Sequence, residues 1–146
     1  MDHFNYQQDI LFAEDVALSN IAEEYGTPSY VYSRATLERH AHAYTESFKS
    51  MNGLVCFSVK ALSNISILKV LKQCGCGFDI VSGGELHRAL LAGADPQKII
   101  FSGVGKSKAE MAAGIKSNIL SFNVESESEL MAVSYTHLTL PTTPYV

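Results

Sequence analysis

Long apolar runs are missing from this chain. No stretch approaches the length needed to cross a bilayer, and Met1-Asp-His-Phe-Asn5 lacks the basic-then-apolar layout of a secretory leader. A cytoplasmic location is the default expectation. Cysteine is scarce, with three residues in 146, an odd number without a disulfide framework. Cys74 and Cys76 flank Gly75 as C-x-C, and no second ligand pair follows, so the four soft ligands of a structural zinc site are lacking and no metal is expected. Reduced thiols suit such a chain better. Positive charge is sparse as well. The net charge is −4 and the basic residues are scattered, which argues against a nucleic-acid partner or a membrane-surface patch. What is present, 47% hydrophobic and 18% charged residues, is the composition of one folded domain with a real core.

Residues 1–14 are mixed and give no clear pattern. From Asp15 to Tyr25 the apolar groups Leu18, Ile21, Ala22 and Tyr25 lie on one helical face, with Gly26 and Pro28 as stops. Ser29-Tyr-Val-Tyr32 reads as a strand. Ser33 is a natural N-cap for a helix striped by Leu37, Ala41, Tyr44 and Phe48. His40 and His42 fall two apart, off a shared face, and are expected at the surface.

From Leu54 onward strands and helices alternate. Strands are predicted at 54–61, 77–82, 98–102 and 119–124, each followed by an amphipathic helix, the last beginning at Glu127. This rhythm signals successive right-handed βαβ units and a parallel sheet. Four units are too few to close an eight-stranded barrel, and an open doubly wound sheet has the same periodicity, so the pattern alone leaves both architectures standing. The last stretch, Ser134 to Val146, holds four threonines and two prolines and resembles translated adapter sequence. Residues 133–146 are therefore expected to be a non-native tail that interrupts the helix begun at Glu127.

Lys60 stands at the end of the first apolar run, Leu54-Val-Cys-Phe-Ser-Val-Lys60. An ammonium there is costly to bury unless it opens into a site or forms a covalent bond, and a partly desolvated amine is a usable nucleophile for Schiff-base chemistry. A lysine that merely ends a surface strand fits the segment equally. Asp79 lies inside the second strand among Phe78, Ile80 and Val81, where a cationic partner, Lys60 included, would compensate it. Ser82-Gly83-Gly84 permits close backbone approach at a helix start, and Glu85 in that first turn suits the helix dipole. Ser102-Gly-Val-Gly-Lys-Ser107 invites a phosphate-loop reading. The glycine that motif needs at position 100 is Ile100, so a tight turn into a helix is expected instead.

Five segments together resemble the N-terminal part of the diaminopimelate decarboxylase family, pyridoxal-phosphate enzymes of the alanine-racemase-like barrel type. They are Tyr25-Gly-Thr-Pro-Ser-Tyr-Val-Tyr-Ser33, Phe57-Ser-Val-Lys-Ala61, Gly77-Phe-Asp-Ile-Val-Ser-Gly-Gly-Glu-Leu86, Ile100-Phe-Ser-Gly-Val-Gly-Lys-Ser107 and Phe122-Asn-Val-Glu-Ser126. The resemblance covers roughly residues 1–132. It implies an α/β fold, the first four or so units of a (β/α)8 TIM barrel over 34–132. Residues 1–33 would belong with a second, β domain that the chain does not include. It implies that Lys60 holds pyridoxal 5'-phosphate as a Schiff base, with Ser58, Asp79 and Glu85 beside the cofactor. The reaction it implies is decarboxylation of meso-2,6-diaminopimelate to L-lysine, in a homodimer whose sites are completed across the interface. The phosphate cradle and the second-domain residues would lie past the resemblance, so the chain alone is expected to be inactive. Leu62 departs from the asparagine common in the family. The alternatives are an ornithine- or arginine-type decarboxylase and a non-catalytic cofactor-binding homologue.

Overall fold

The structure is a computed structural model and describes residues 3–138. It opens with a three-stranded antiparallel meander, β1 (Phe4–Gln7), β2 (Ile10–Ala13) and β3 (Val16–Ala17). Gln8 and Asp9, between β1 and β2, both have positive φ (49° and 64°), the sign a tight two-residue hairpin turn requires. All four β1 residues are exposed, so no alternation of polarity announces the strand. Val16 and Ala17 pair with β2, and the helix expected from Asp15 starts later, as α1 (Leu18–Tyr25). Gly26, at φ 80°, ends it. The strand expected at Ser29–Tyr32 does not form: that segment runs without a partner strand among the described residues, and Tyr30 is 91% exposed.

Ser33 caps α2 (Arg34–Lys49) as expected, its Oγ accepting from Thr36 N at 3.0 Å. The same hydroxyl donates to Glu14 Oε1 at 2.7 Å, and Ala35 N donates to that oxygen at 2.9 Å. One carboxylate thus ties the meander to the first turn of α2.

The second sheet is built from β4 (Cys56–Ser58), β5 (Gly77–Ile80), β6 (Ile99–Phe101) and β7 (Ser121–Phe122), with α3 (Ile65–Gln73), α4 (Gly83–Leu91), α5 (Lys108–Lys116) and α6 (Glu127–Leu138) following in turn. All three pairings are parallel, and the spatial order is β4-β5-β6-β7. Every crossover steps in the same direction. With right-handed connections this puts the helices on one face, as in a barrel wall, whereas a doubly wound sheet reverses its strand order. Phe78, Ile80, Ile99 and Phe101 are fully buried and share one core with Leu68, Leu71, Leu86 and Ala89 of α3 and α4. Phe101 and Phe122 stack with ring centroids 5.7 Å apart.

The opposite face carries a row in register, Ser58, Asp79, Ile100 and Ser121, each half-buried. Below it, a Cβ on Gly77 would run into the Lys98 carbonyl oxygen and stand 3.0 Å from Cys56 Sγ, so only glycine lets the strands pack there. β4 is shorter and less covered than expected. It ends at Ser58, a one-turn 3-10 helix takes Val59–Ala61, and Cys56, Phe57 and Ser58 are half-buried because β4 is an edge strand. The last helix is longer than expected. It passes Val133 and runs to Leu138, since no proline occurs before Pro141 to break it. The remainder of the expected tail lies outside the described residues. Among the described residues no helix is long and apolar enough to cross a membrane.

The glycine turn before α5 holds a feature the sequence did not announce. Lys106 is buried, and its ammonium donates to the carbonyls of Gly103 and Asn123, each at 2.6 Å, and to Glu129 Oε1 at 3.1 Å. Its side chain is 1% exposed and that of Glu129 10%. The other Glu129 oxygen accepts from Glu125 N at 2.7 Å. One cation therefore binds the loop after β6, the loop after β7 and the first turn of α6. Replacing Glu129 by alanine leaves that ammonium without its counter-charge and should cost about 3–5 kcal/mol, read as lost amide protection in α5 and α6. The paired change Lys106→Met with Glu129→Leu should recover most of it, and equal losses in both would contradict the pairing.

Three carboxyls are held below their ordinary value of 4.5. The chief cause for Glu14 is the Ala35 backbone N–H, for Glu110 that of Gly83 and for Glu129 that of Glu125. Because these values are depressed on folding, the stability they lend is complete above pH 4.5 and is lost as pH falls through the lowered values. Hydrogen exchange of α2, α5 and α6 should accelerate in that acid window, and protection unchanged there would refute the assignment. The unpaired edges of β4 and β7 should also make the isolated 146-residue chain self-associate. Light scattering tests this, and a monomer with one sharply cooperative unfolding transition would count against it.

Candidate active site

The half-buried row of the parallel sheet gathers polar side chains at the strands' C-terminal ends, where ligands sit in parallel α/β architectures. Ser58 and Asp79 are directly opposite on β4 and β5. Ser102 and Asn123 follow β6 and β7, and the ladder still holds them: Ser102 N donates to Ile80 O at 2.8 Å and Asn123 N to Phe101 O at 2.9 Å. Their side chains close on Asp79. Ser102 Oγ donates to Asp79 Oδ1 at 2.5 Å, Ser58 Oγ reaches Asp79 Oδ2 at 3.4 Å, and Asn123 Nδ2 donates to Ser102 Oγ at 3.0 Å. A single hydrogen-bonded string thus spans four consecutive strands.

The cationic partner expected for Asp79 is not what the fold supplies. Two hydroxyls take that place because parallel register sets them opposite and one step beyond the carboxylate, and among the described residues Asp79 makes no ion pair. Lys60 sits two residues past the end of β4, inside the 3-10 turn, exposed and without a hydrogen bond or ion pair among the described residues. The expected buried strand end is therefore an open turn beside the string. Glu85 behaves as a cap: its Oε2 accepts from Val81 N at 2.8 Å, while Ser82 Oγ accepts from Glu85 N at 3.2 Å. No hydrogen bond joins Glu85 to Lys60 or Asp79 among the described residues.

A second carboxylate, Glu110, accepts from Gly83 N at 2.8 Å and from Ser107 N at 3.0 Å, completing a capping box on α5. The N-termini of α4 and α5 therefore already carry negative charge, which disfavours a phosphate there. Lys106, the lysine of the phosphate-loop look-alike, is turned inward to carbonyls and Glu129. Burial, then the Asp79 charge, pushes the Cys56 thiol above its usual value, and burial does the same for Cys74 and Cys76. All three are free thiols. A cavity of about 630 Å³ lies between α2 and the outer edge of β4, lined by Leu37, Ala41, Tyr44, Phe57 and Ser58 among others, and it includes neither Lys60 nor Asp79.

Ser102, Asn123 and Lys106 escaped the sequence reading. The first two sit two residues beyond the Ile100 and Ser121 positions of the row. Their signal is register, which exists only once the strands are aligned.

Comparison with known proteins adds the family. Residues 34–142 match the model described as pyridoxal-dependent decarboxylase, pyridoxal binding domain. The diaminopimelate decarboxylase of Vibrio cholerae is 56% identical over 135 residues, covering 92% of this chain and 32% of that protein. That of Pseudomonas aeruginosa is 55% identical over 130 residues, covering 89% and 31%. Among solved structures, the diaminopimelate decarboxylase of M. jannaschii in complex with L-lysine superposes with a TM-score of 0.88 at 36% identity, over 92% of this chain and 32% of that one. The chain spans about a third of the length of these relatives. Because the family match takes in α2, all four parallel strands and the helices between them, the chain belongs to the pyridoxal-dependent decarboxylases and carries a partial barrel from their pyridoxal-binding domain.

Proposed function

We propose that the chain is the lysine-bearing part of a diaminopimelate decarboxylase, converting meso-2,6-diaminopimelate to L-lysine with pyridoxal 5'-phosphate. The observation that carries this is local: an exposed amine, Lys60, at the C-terminal edge of the sheet beside the Ser58–Asp79–Ser102 string. Similarity to proteins named for that reaction, above 50% in two of them, supports this substrate over ornithine or arginine.

The residues present suit one end of the cofactor. Lys60 offers a solvent-reachable primary amine for the aldehyde, and Ser58, Asp79 and Glu85 are the polar groups around it. The phosphate has no such place here, since the two helix N-termini nearest the string are already satisfied by Glu85 and Glu110. It must be held by residues of the rest of the enzyme. When bound, pyridoxal phosphate supplies an electron sink for the pair left by a departing carboxylate.

The chain's own contribution is nucleophilic and electrostatic. Lys60 Nζ must be free of its extra proton to bond a carbonyl carbon, and it takes a proton when it is released again. Asp79, fixed by two hydroxyls, provides a stationary negative charge on the adjoining strand. Ser58 keeps the row narrow beside the lysine turn. The exposed Ser29–Tyr32 segment fits the same proposal, in which residues 1–33 join a second β domain and active sites are completed in a homodimer. On this reading the 146-residue chain alone is inactive.

The test uses the full-length enzyme carrying this segment. Pyridoxal phosphate should give a visible absorption band, borohydride should fix one cofactor mass on Lys60, and Lys60→Ala should abolish both. Carbon dioxide should be released from meso-diaminopimelate at least ~100-fold faster than from ornithine or arginine, as expected for a site that hydrogen-bonds a polar group the competitors lack. A colourless protein with no mass increment on Lys60 would overturn the assignment.

A further inference from the structure

We propose that Ser102 and Asn123 are positioning residues for the lysine site. They hold the Asp79 carboxylate in one orientation without themselves touching cofactor or substrate, an inference that rests on the function proposed above for Lys60. The argument begins with the proton count. A serine hydroxyl has one proton and two lone pairs. Asp79 Oδ1, 2.5 Å from Ser102 Oγ, accepts that proton. Ser102 can then only accept from Asn123, and the Asn123 amide nitrogen, 3.0 Å away, is a donor. Every hydrogen bond in the string therefore has one allowed direction, running from Asn123 through Ser102 to Asp79.

Geometry makes the string rigid. Ser102 is anchored by its own N–H to Ile80 O, and Asn123 by its N–H to Phe101 O and its carbonyl to the Lys106 ammonium at 2.6 Å. Lys106 is in turn locked to Glu129. Asp79 thus has one oxygen bound tightly on the β6 side. Its other oxygen, with only the 3.4 Å contact to Ser58, is turned toward β4, the strand that leads into Lys60. Without Ser102 the carboxyl group is free to rotate, and the charge facing β4 loses its fixed place.

The experiment measures the rate at which pyridoxal phosphate becomes borohydride-fixable on Lys60, by mass, in the full-length protein. Ser102→Ala should slow it on the order of tenfold, as loss of orientation at a reacting group does. Ser102→Cys, nearly isosteric but a weak donor, should follow alanine, and Ser102→Thr, which keeps the hydroxyl, should restore the rate. Because Ser102 acts through Asp79, Ser102→Ala should bring no further slowing in an Asp79→Asn background. A full additional slowing in that background, or a threonine variant as slow as alanine, overturns the proposal while leaving Lys60 as the tether. Absence of labelling in the unsubstituted protein defeats both readings together.

Discussion

An acidic side chain on a central strand of a parallel sheet must find partners or cost several kcal/mol, and in this protein Asp79 is where that constraint is met. β5 lies between β4 and β6, so Asp79 has a neighbour on each side, and both neighbours present a hydroxyl. The solution is polar rather than ionic. Two serines cost less to place beside a carboxylate than a buried counter-ion does. They leave the lysine of the adjoining turn unpaired and available.

The two faces of the same four strands divide the labour. Phe78, Ile80, Ile99 and Phe101 alternate with the polar row and go under the helices without any exposure. That anchoring lets the opposite face hold its serines, asparagine and aspartate in fixed places. The loops above the strands are secured from outside the sheet. Glu110 joins the starts of α4 and α5, and Lys106 with Glu129 joins the loops after β6 and β7. Glu14 performs the corresponding task between the N-terminal meander and α2. Carboxylates thus occupy the positions where an anion would otherwise bind. This is why a turn spelled Gly-Val-Gly-Lys-Ser is a structural clamp and not a phosphate loop.

Helix caps at Ser33, Asn64, Ser82 and Ser107 involve residues close in sequence, and the side-chain oxygens bond the amides two or three residues on. Such short-range chemistry is readable from the letters. The β1–β2 hairpin was not, because its strands are exposed and its turn uses Gln8 and Asp9 where glycine or asparagine is usual. Ser29–Tyr32 shows the reverse error. Its β-forming residues promise a strand, but strand formation needs a partner edge, and none is present among the described residues.

The amino-acid sequence by itself determined the alternation of strand and helix from residue 54, the lysine at position 60, the acid at position 79 and the family they resemble. Each of these depends on residue type or on a period of a few residues. Tertiary structure decided the rest. The order β4-β5-β6-β7 selects a barrel wall over a doubly wound sheet, and strand register sets Ser102 and Asn123 on Asp79. A buried Lys106 finds Glu129, 23 residues away. These contacts join residues that are distant in the chain, and no local pattern encodes which strand lies beside which until the apolar faces have packed.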